Sequence, residues 1–247
     1  MRQRNLPPSP FLLVLIAVLA FFYLAHTRRT LPYRNRRSDE YHVPAERQIF
    51  PPNKRDRTHE REQEASANCQ AFAVPCNSVY FQPWQKPEDS SCGTAIRNGY
   101  PVPDPRCTPG GINPAITADI LRNPSWRTLC SRNCASSEKE KHVAYLWYGM
   151  RAPHHNAGNR QVCELDHLVP LELGGADGIG NIWPECGPDS ATLENRYFKI
   201  KDRVENYLAD EVKAGRIPLD TAQRSIASDW TQYLDDANRY CALGGRC

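Results

Sequence analysis

Hydrophobic and polar positions divide the chain into four stretches of different period. Residues 11–25 (FLLVLIAVLAFFYLA) are an uncharged, almost wholly apolar run preceded by Arg2 and Arg4, the pattern of a membrane-targeting segment. Its length lies between the core of a signal peptide and the roughly 20 residues of a spanning helix. Residues 1–26 are therefore expected to be a signal peptide or a membrane anchor. The uncleaved anchor is favoured, because cleavage after Ala20 would leave a short apolar core. Residues 27–66 lose apolar periodicity and read as a disordered charged tether. Residues 67–112 read as a cysteine-rich irregular segment with turns at Asn98-Gly99 and Pro109-Gly110-Gly111.

Residues 113–247 carry regular periods. Asn113-Pro114 resembles a helix N-cap and first-turn proline opening a short helix through Ile116, Ile120 and Leu121. Ser136 or Ser137 is expected to cap the next helix, which runs to about Tyr148. Val162 to Leu171 is apolar and β-prone, and Gly174-Gly175 closes it as half of a hairpin. Val204, Leu208 and Val212 then fall on one helical stripe that Gly215 stops. Pro218 begins a final helix carrying Ala222, Ile226, Ala227, Trp230 and Leu234. The order is an irregular region, two helices, a β-hairpin and two helices, an α+β domain in which Trp147, Trp183 and Trp230 are expected to serve as packing.

Composition changes this picture in two ways. All ten cysteines follow the apolar run, and no CxxC pair occurs, so disulfides in an oxidising compartment are a better reading than zinc. Arg28, Arg29, Arg34, Arg36 and Arg37 just after the run argue for a cytosolic side. Long downstream domains translocate largely regardless of flanking charge, so the cysteines decide: the chain is expected outside the cytosol, anchored, secreted or periplasmic. Charge is divided unevenly. The tether holds ten Lys or Arg against seven acidic residues; with Arg2 and Arg4 the first 66 residues carry +5, and since the whole chain is +3 the remainder sums to −2. A slightly acidic domain lacks the global basic surface of a tight nucleic-acid binder, which leaves only local patches for such a role.

The chemistry concentrates in Glu164-Leu-Asp166-His167-Leu-Val-Pro170-Leu-Glu-Leu-Gly174-Gly175, followed by Asn181-Ile-Trp183-Pro-Glu185. This DHLVPLELGG then NIWPE arrangement resembles the HNH, or ββα-metal, nuclease motif, in which DHxxP, a glycine-rich turn and an Asn recur in that order. The flanking CTPGGINPAIT, KDRVENYL and AQRSIASDW resemble a bacterial subgroup of HNH endonucleases, so the similarity spans about Cys107 to Trp230.

The resemblance implies a divalent-ion-dependent endonuclease, with Mg²⁺ first and Mn²⁺ or Zn²⁺ as alternatives, acting on nucleic acid and leaving a 5′-phosphate. His167 would be the general base and Asp166 a metal ligand. Asn181 would be catalytic only through its amide, which pins the loop and orients His167. Asn195 is the nearest match to the third family position, a second metal ligand, with Asp189, Glu194 and Asp202 competing for that role. Arg196, Lys199 and Lys201 are candidate phosphate contacts, or the solvated face of their helix. The zinc-binding cysteine pairs of many HNH domains are missing, and a Cys163–Cys186 disulfide would staple the hairpin in their place.

Two other readings compete. Glu164-x-x-His167 with His154-His155 fits a zinc peptidase loosely, although its glutamate lies on a β-like run. A membrane-tethered binding module that keeps the fold without catalysis accords with the acidic balance. No obligate protein partner is implied.

Overall fold

The computed structural model describes Cys69 and residues 74–247; the expected targeting segment, residues 1–26, and the expected tether, residues 27–66, lie outside the described residues. The elements are β1 (Val79–Tyr80), β2 (Ala95–Arg97), β3 (Tyr100–Val102), β4 (Gly111–Ile112), α1 (Ala118–Arg122), α2 (Glu138–Lys141), α3 (Val143–Trp147), β5 (Cys163–His167), β6 (Ile182–Cys186), α4 (Tyr197–Lys213), α5 (Leu219–Asp229) and α6 (Leu234–Ala242). Three two-stranded antiparallel ladders, β1 with β4, β2 with β3 and β5 with β6, accompany the helices, an α+β fold. No helix among the described residues is long and apolar enough to cross a membrane.

Several boundaries differ from the sequence expectation, each for a local reason. Asn113 does not cap α1; its side chain accepts from Ala115 N–H in a turn of its own, and Thr117 caps the helix by accepting from Ile120 N–H. Ser137 does cap α2, with Glu140 returning the bond to the Ser137 backbone N–H as a capping box. The final helix divides because extended Asp229 accepts from Thr231 N–H and starts a new turn, Trp230–Tyr233, ahead of α6. Residues 74–112 are part of the same compact unit as the helices. Within it β1 pairs with β4, Ile112 bridges Gly175, and Cys69–Cys130 and Cys76–Cys134 tie the segment to the turns after α1.

Two hydrophobic clusters hold the hairpin that carries the DHxxP motif. One gathers Val169, Leu173, Val204, Leu208, Val212, Ile226 and Trp230; the other gathers Leu168, Ile182, Trp183, Trp147 and the Cys92–Cys107 bridge. Consecutive residues Leu168 and Val169 therefore plug into different clusters, which fixes the end of β5 from both sides. The register pairs Asp166 with Trp183, His167 with Ile182 and Cys163 with Cys186, and the last pair is a disulfide. All ten cysteines are bridged, the remaining pair being Cys241–Cys247, a condition that belongs to an oxidising, non-cytosolic compartment. Replacing Cys163 and Cys186 together by alanine is expected to lower stability by about 2–4 kcal/mol, the usual contribution of a disulfide closing a loop of this size. An unshifted denaturation midpoint would show that the two clusters hold the hairpin unaided.

Candidate active site

Asp166 and His167 end β5, and consecutive strand residues project to opposite sides. His167 meets the loop between the strands, where its Nε2 lies 2.9 Å from Asp177 Oδ1. Asp177 is itself held by Lys141 Nζ at 2.8 Å and by the backbone N–H of Cys134 at 3.0 Å. Asp166 turns toward α4, with its Oδ2 2.6 Å from Lys201 Nζ. Both residues line a cleft of about 150 Å³ whose wall also includes Arg132, Glu164, Asp202 and Glu205. His167 is only 6% exposed and is one of the residues that line this cleft.

Burial disfavours an imidazolium and holds His167 below its ordinary pKa, against the opposing pull of the Asp177 hydrogen bond. The ring is therefore neutral at physiological pH. Burial alone would raise Asp177, but the bonds from His167 and Lys141 outweigh it and keep that carboxyl below the usual range. An ionised Asp177 accepts a proton-bearing Nε2, so the lone pair belongs to Nδ1, which has no protein hydrogen bond among the described residues.

Asn181 is fully buried. Its Oδ1 accepts from the backbone N–H groups of Gly111 and Val169, and its Nδ2 donates to the carbonyls of Val169 and Ala176. It bridges the hairpin loop to β4 and faces no open space. Gly175 completes this packing: a Cβ there would fall 1.9 Å from the Val169 carbonyl oxygen, so no other residue fits.

The lysines and arginine at the start of α4 do different work from the expected phosphate contacts. Lys201 is 0% exposed; its ammonium bonds Asp166, Glu205 and the carbonyl of His167. Arg196 is buried and bonds the Pro188 carbonyl, while Lys199 pairs with Asp202 at 2.6 Å. Asn195 is exposed in the turn Leu193–Asn195, bonded to Thr192 Oγ1. None of these four lines the cleft. The residues that α4 does bring to the cleft of Asp166 and His167 are Asp202, one of the competing oxygen ligands, and Glu205, four positions beyond Lys201 and on the same face.

Buried carboxylates crowd around that single ammonium. Glu185, opposite Glu164 on β6, is 0% exposed, and neither of its carboxylate oxygens has a hydrogen-bond partner among the described residues. Burial first, and the nearby Asp166 second, push its pKa well above the ordinary range; burial likewise raises Glu205. Burial opposes the Lys201 charge, but Asp166 and Glu205 more than compensate, so Lys201 stays protonated. Burial and repulsion from Asp166 push Glu164 up to about 7.

A carboxyl with a raised folded-state pKa stabilises the fold fully below its unfolded value near 4.3 and ceases to do so as pH rises through the folded value. Thermal stability is thus expected to decline between about pH 4.5 and 7 from this group, and Glu164→Gln to flatten that decline. Melting temperatures of both proteins across that range test it; parallel curves would count against the assignment.

The donors suit one kind of cation better than another. Asp166 and Glu205 offer hard oxygens on the wall of the cleft, each paired through one carboxylate oxygen with Lys201. No three His, Cys, Asp or Glu side chains among the described residues converge at ligand spacing. Mg²⁺ uses one or two carboxylates, retained waters and a substrate phosphate, whereas structural zinc takes four protein ligands. Comparison of the chain with protein-family models, with curated proteins and with solved structures returns no match.

Proposed function

We propose that this protein is a metal-dependent endonuclease of the ββα-metal, or HNH, type, hydrolysing phosphodiester bonds of nucleic acid outside the cytosol. The observation that carries the reading is the wall of one cleft: a neutral, carboxylate-oriented imidazole, His167, beside Asp166 at the end of a hairpin backed by α4. The DHxxP sequence and the buried Asn181 amide are what this motif requires in the same places.

His167 takes the proton of the attacking water on Nδ1 while the water oxygen forms the new bond to phosphorus. The bond from phosphorus to the leaving alkoxide breaks, and the product retains the phosphate at its 5′ end. Asp177 keeps Nε2 protonated and the ring aimed, so that Nδ1 is the basic atom. Asp166 and Glu205 are the side chains that would hold a divalent ion, which when bound would neutralise charge on the phosphate and the leaving oxygen. Asn181 acts at one remove by fixing the backbone on which His167 stands.

Supercoiled plasmid DNA incubated with the purified full chain tests the reading. Nicking in Mg²⁺ that stops with EDTA is expected. Intact plasmid in Mg²⁺, Mn²⁺ and Zn²⁺ alike would sink the reading and leave a non-catalytic binding module, while peptide hydrolysis under the same conditions would point to the peptidase.

A further inference from the structure

Because Arg196 and Lys201 are buried and Lys199 is paired, the grip on a substrate has to come from elsewhere. The catalytic cleft is one end of a longer groove. Arg132, Glu164 and Leu165 also line a second depression of about 450 Å³, and that depression shares Glu138, His142, Tyr145 and Ala152 with a third of about 870 Å³. The groove thus leads from Asp166 and His167 past the α2–α3 turn to Met150 and Arg151.

Its charges are unengaged. Arg132 and Arg151 are exposed and have no side-chain hydrogen bond, ion pair or ring contact among the described residues. Arg160, in the turn Gly158–Arg160 beside the groove-lining Gln161, is the third such guanidinium. Every other arginine among the described residues is engaged, as Arg216 is with Glu211, Arg246 with Glu172 and Arg224 with the Phe81 ring. His154 and Lys139 add donors to the rim, and the rim acid Glu138 is bonded to Lys141. On the floor Leu146 is 53% exposed, and the exposed His142 ring is backed by the buried Tyr145 ring 5.8 Å away.

Resting on the nuclease reading, we infer that this groove binds a single nucleic-acid strand, with Arg132 and Arg151 on its phosphates and the exposed His142 ring and Leu146 against its bases. Free guanidiniums match a backbone charged at every step, and rings match unpaired base faces. A duplex keeps those faces stacked inside and offers the floor nothing. The same juxtaposition accounts for an acidic domain acting on a polyanion, since the contact is local.

The test is fluorescence anisotropy of labelled dT12, rU12 and a 12-base-pair duplex with the full chain in EDTA, which separates binding from turnover; the dT12 and rU12 arms distinguish DNA from RNA. One or both single strands are expected to bind more tightly than the duplex. The double variant R132A/R151A should weaken strand binding about tenfold for each guanidinium lost. It should also reduce the slope of log affinity against log salt by about 1.4, two contacts at about 0.7 each. His142→Ala should weaken binding of every single-stranded probe without changing that slope. The inference is overturned if the duplex binds as tightly as the strands, or if R132A/R151A leaves both affinity and slope unaltered. Plasmid cleavage that is indifferent to R132A/R151A would overturn the groove and leave the hydrolase standing; strand binding as described, without cleavage in any metal, would do the reverse.

Discussion

His167→Ala is expected to lower the rate of DNA cleavage by about 10²- to 10⁴-fold, the range that a positioned general base supplies, with little change in strand affinity. The imidazole is neutral because burial holds its pKa down, and its one partner among the described residues is Asp177 at 2.9 Å. The substitution therefore removes the proton acceptor and leaves Asp166, Glu205 and the arginines where they are. Asp177→Ala should reproduce part of the loss through kcat, since Nε2 and the buried Lys141 ammonium would both lose their shared carboxylate. Single-turnover rates with each variant, alongside melting temperatures, separate lost chemistry from lost fold. A His167→Ala protein that cleaves within a few-fold of the native rate would dismiss this histidine as the base.

Lys201→Met is expected to be the most destabilising single change in the site, by about 3–5 kcal/mol in EDTA, the usual effect of removing one partner from a buried ion pair. Three carboxyls, Asp166, Glu185 and Glu205, surround its ammonium, and without it no cation among the described side chains balances them at close range. Two dependences distinguish this from simple loss of packing. The defect should shrink as pH falls, because Glu185 and Glu205 then carry protons and the unbalanced charge disappears. Millimolar Mg²⁺ should also raise the melting temperature of the variant more than that of the native protein, since the ion would take the vacated position against Asp166 and Glu205. Equal melting temperatures of variant and native protein in EDTA would refute the view that Lys201 balances the cluster.

Much of this site was legible from residue order. Asp166, His167, Pro170, the glycine pair and Asn181 are close in sequence, so a hairpin brings them together by local geometry; the need for glycine at 175 follows from the same tight turn. The hidden lysine had a sequence signal as well: Lys201 and Glu205 lie on the helical stripe of Phe198, Val204 and Leu208, the face that α4 buries. A lysine on an apolar stripe is more informative than one beside it, and on that ground alone Lys201 was a poor phosphate contact.

What the chain order could not disclose depends on contacts between distant segments. Asp177 reaches His167 only because the loop folds back, and Lys141 reaches Asp177 from a helix 36 positions earlier. Arg132 and Arg151 look like ordinary solvated charges in a list of residues, and their position along one groove emerges only when α2, α3 and β5 pack together. Local periodicity and turn chemistry are properties of neighbouring residues, so the sequence alone determined the hairpin, the long amphipathic helix and the disulfide-forming character of the domain. Burial of a charge and the choice of its partner depend on which surfaces exclude water together, and for Lys201, Glu185 and Asp177 only the tertiary structure decided that.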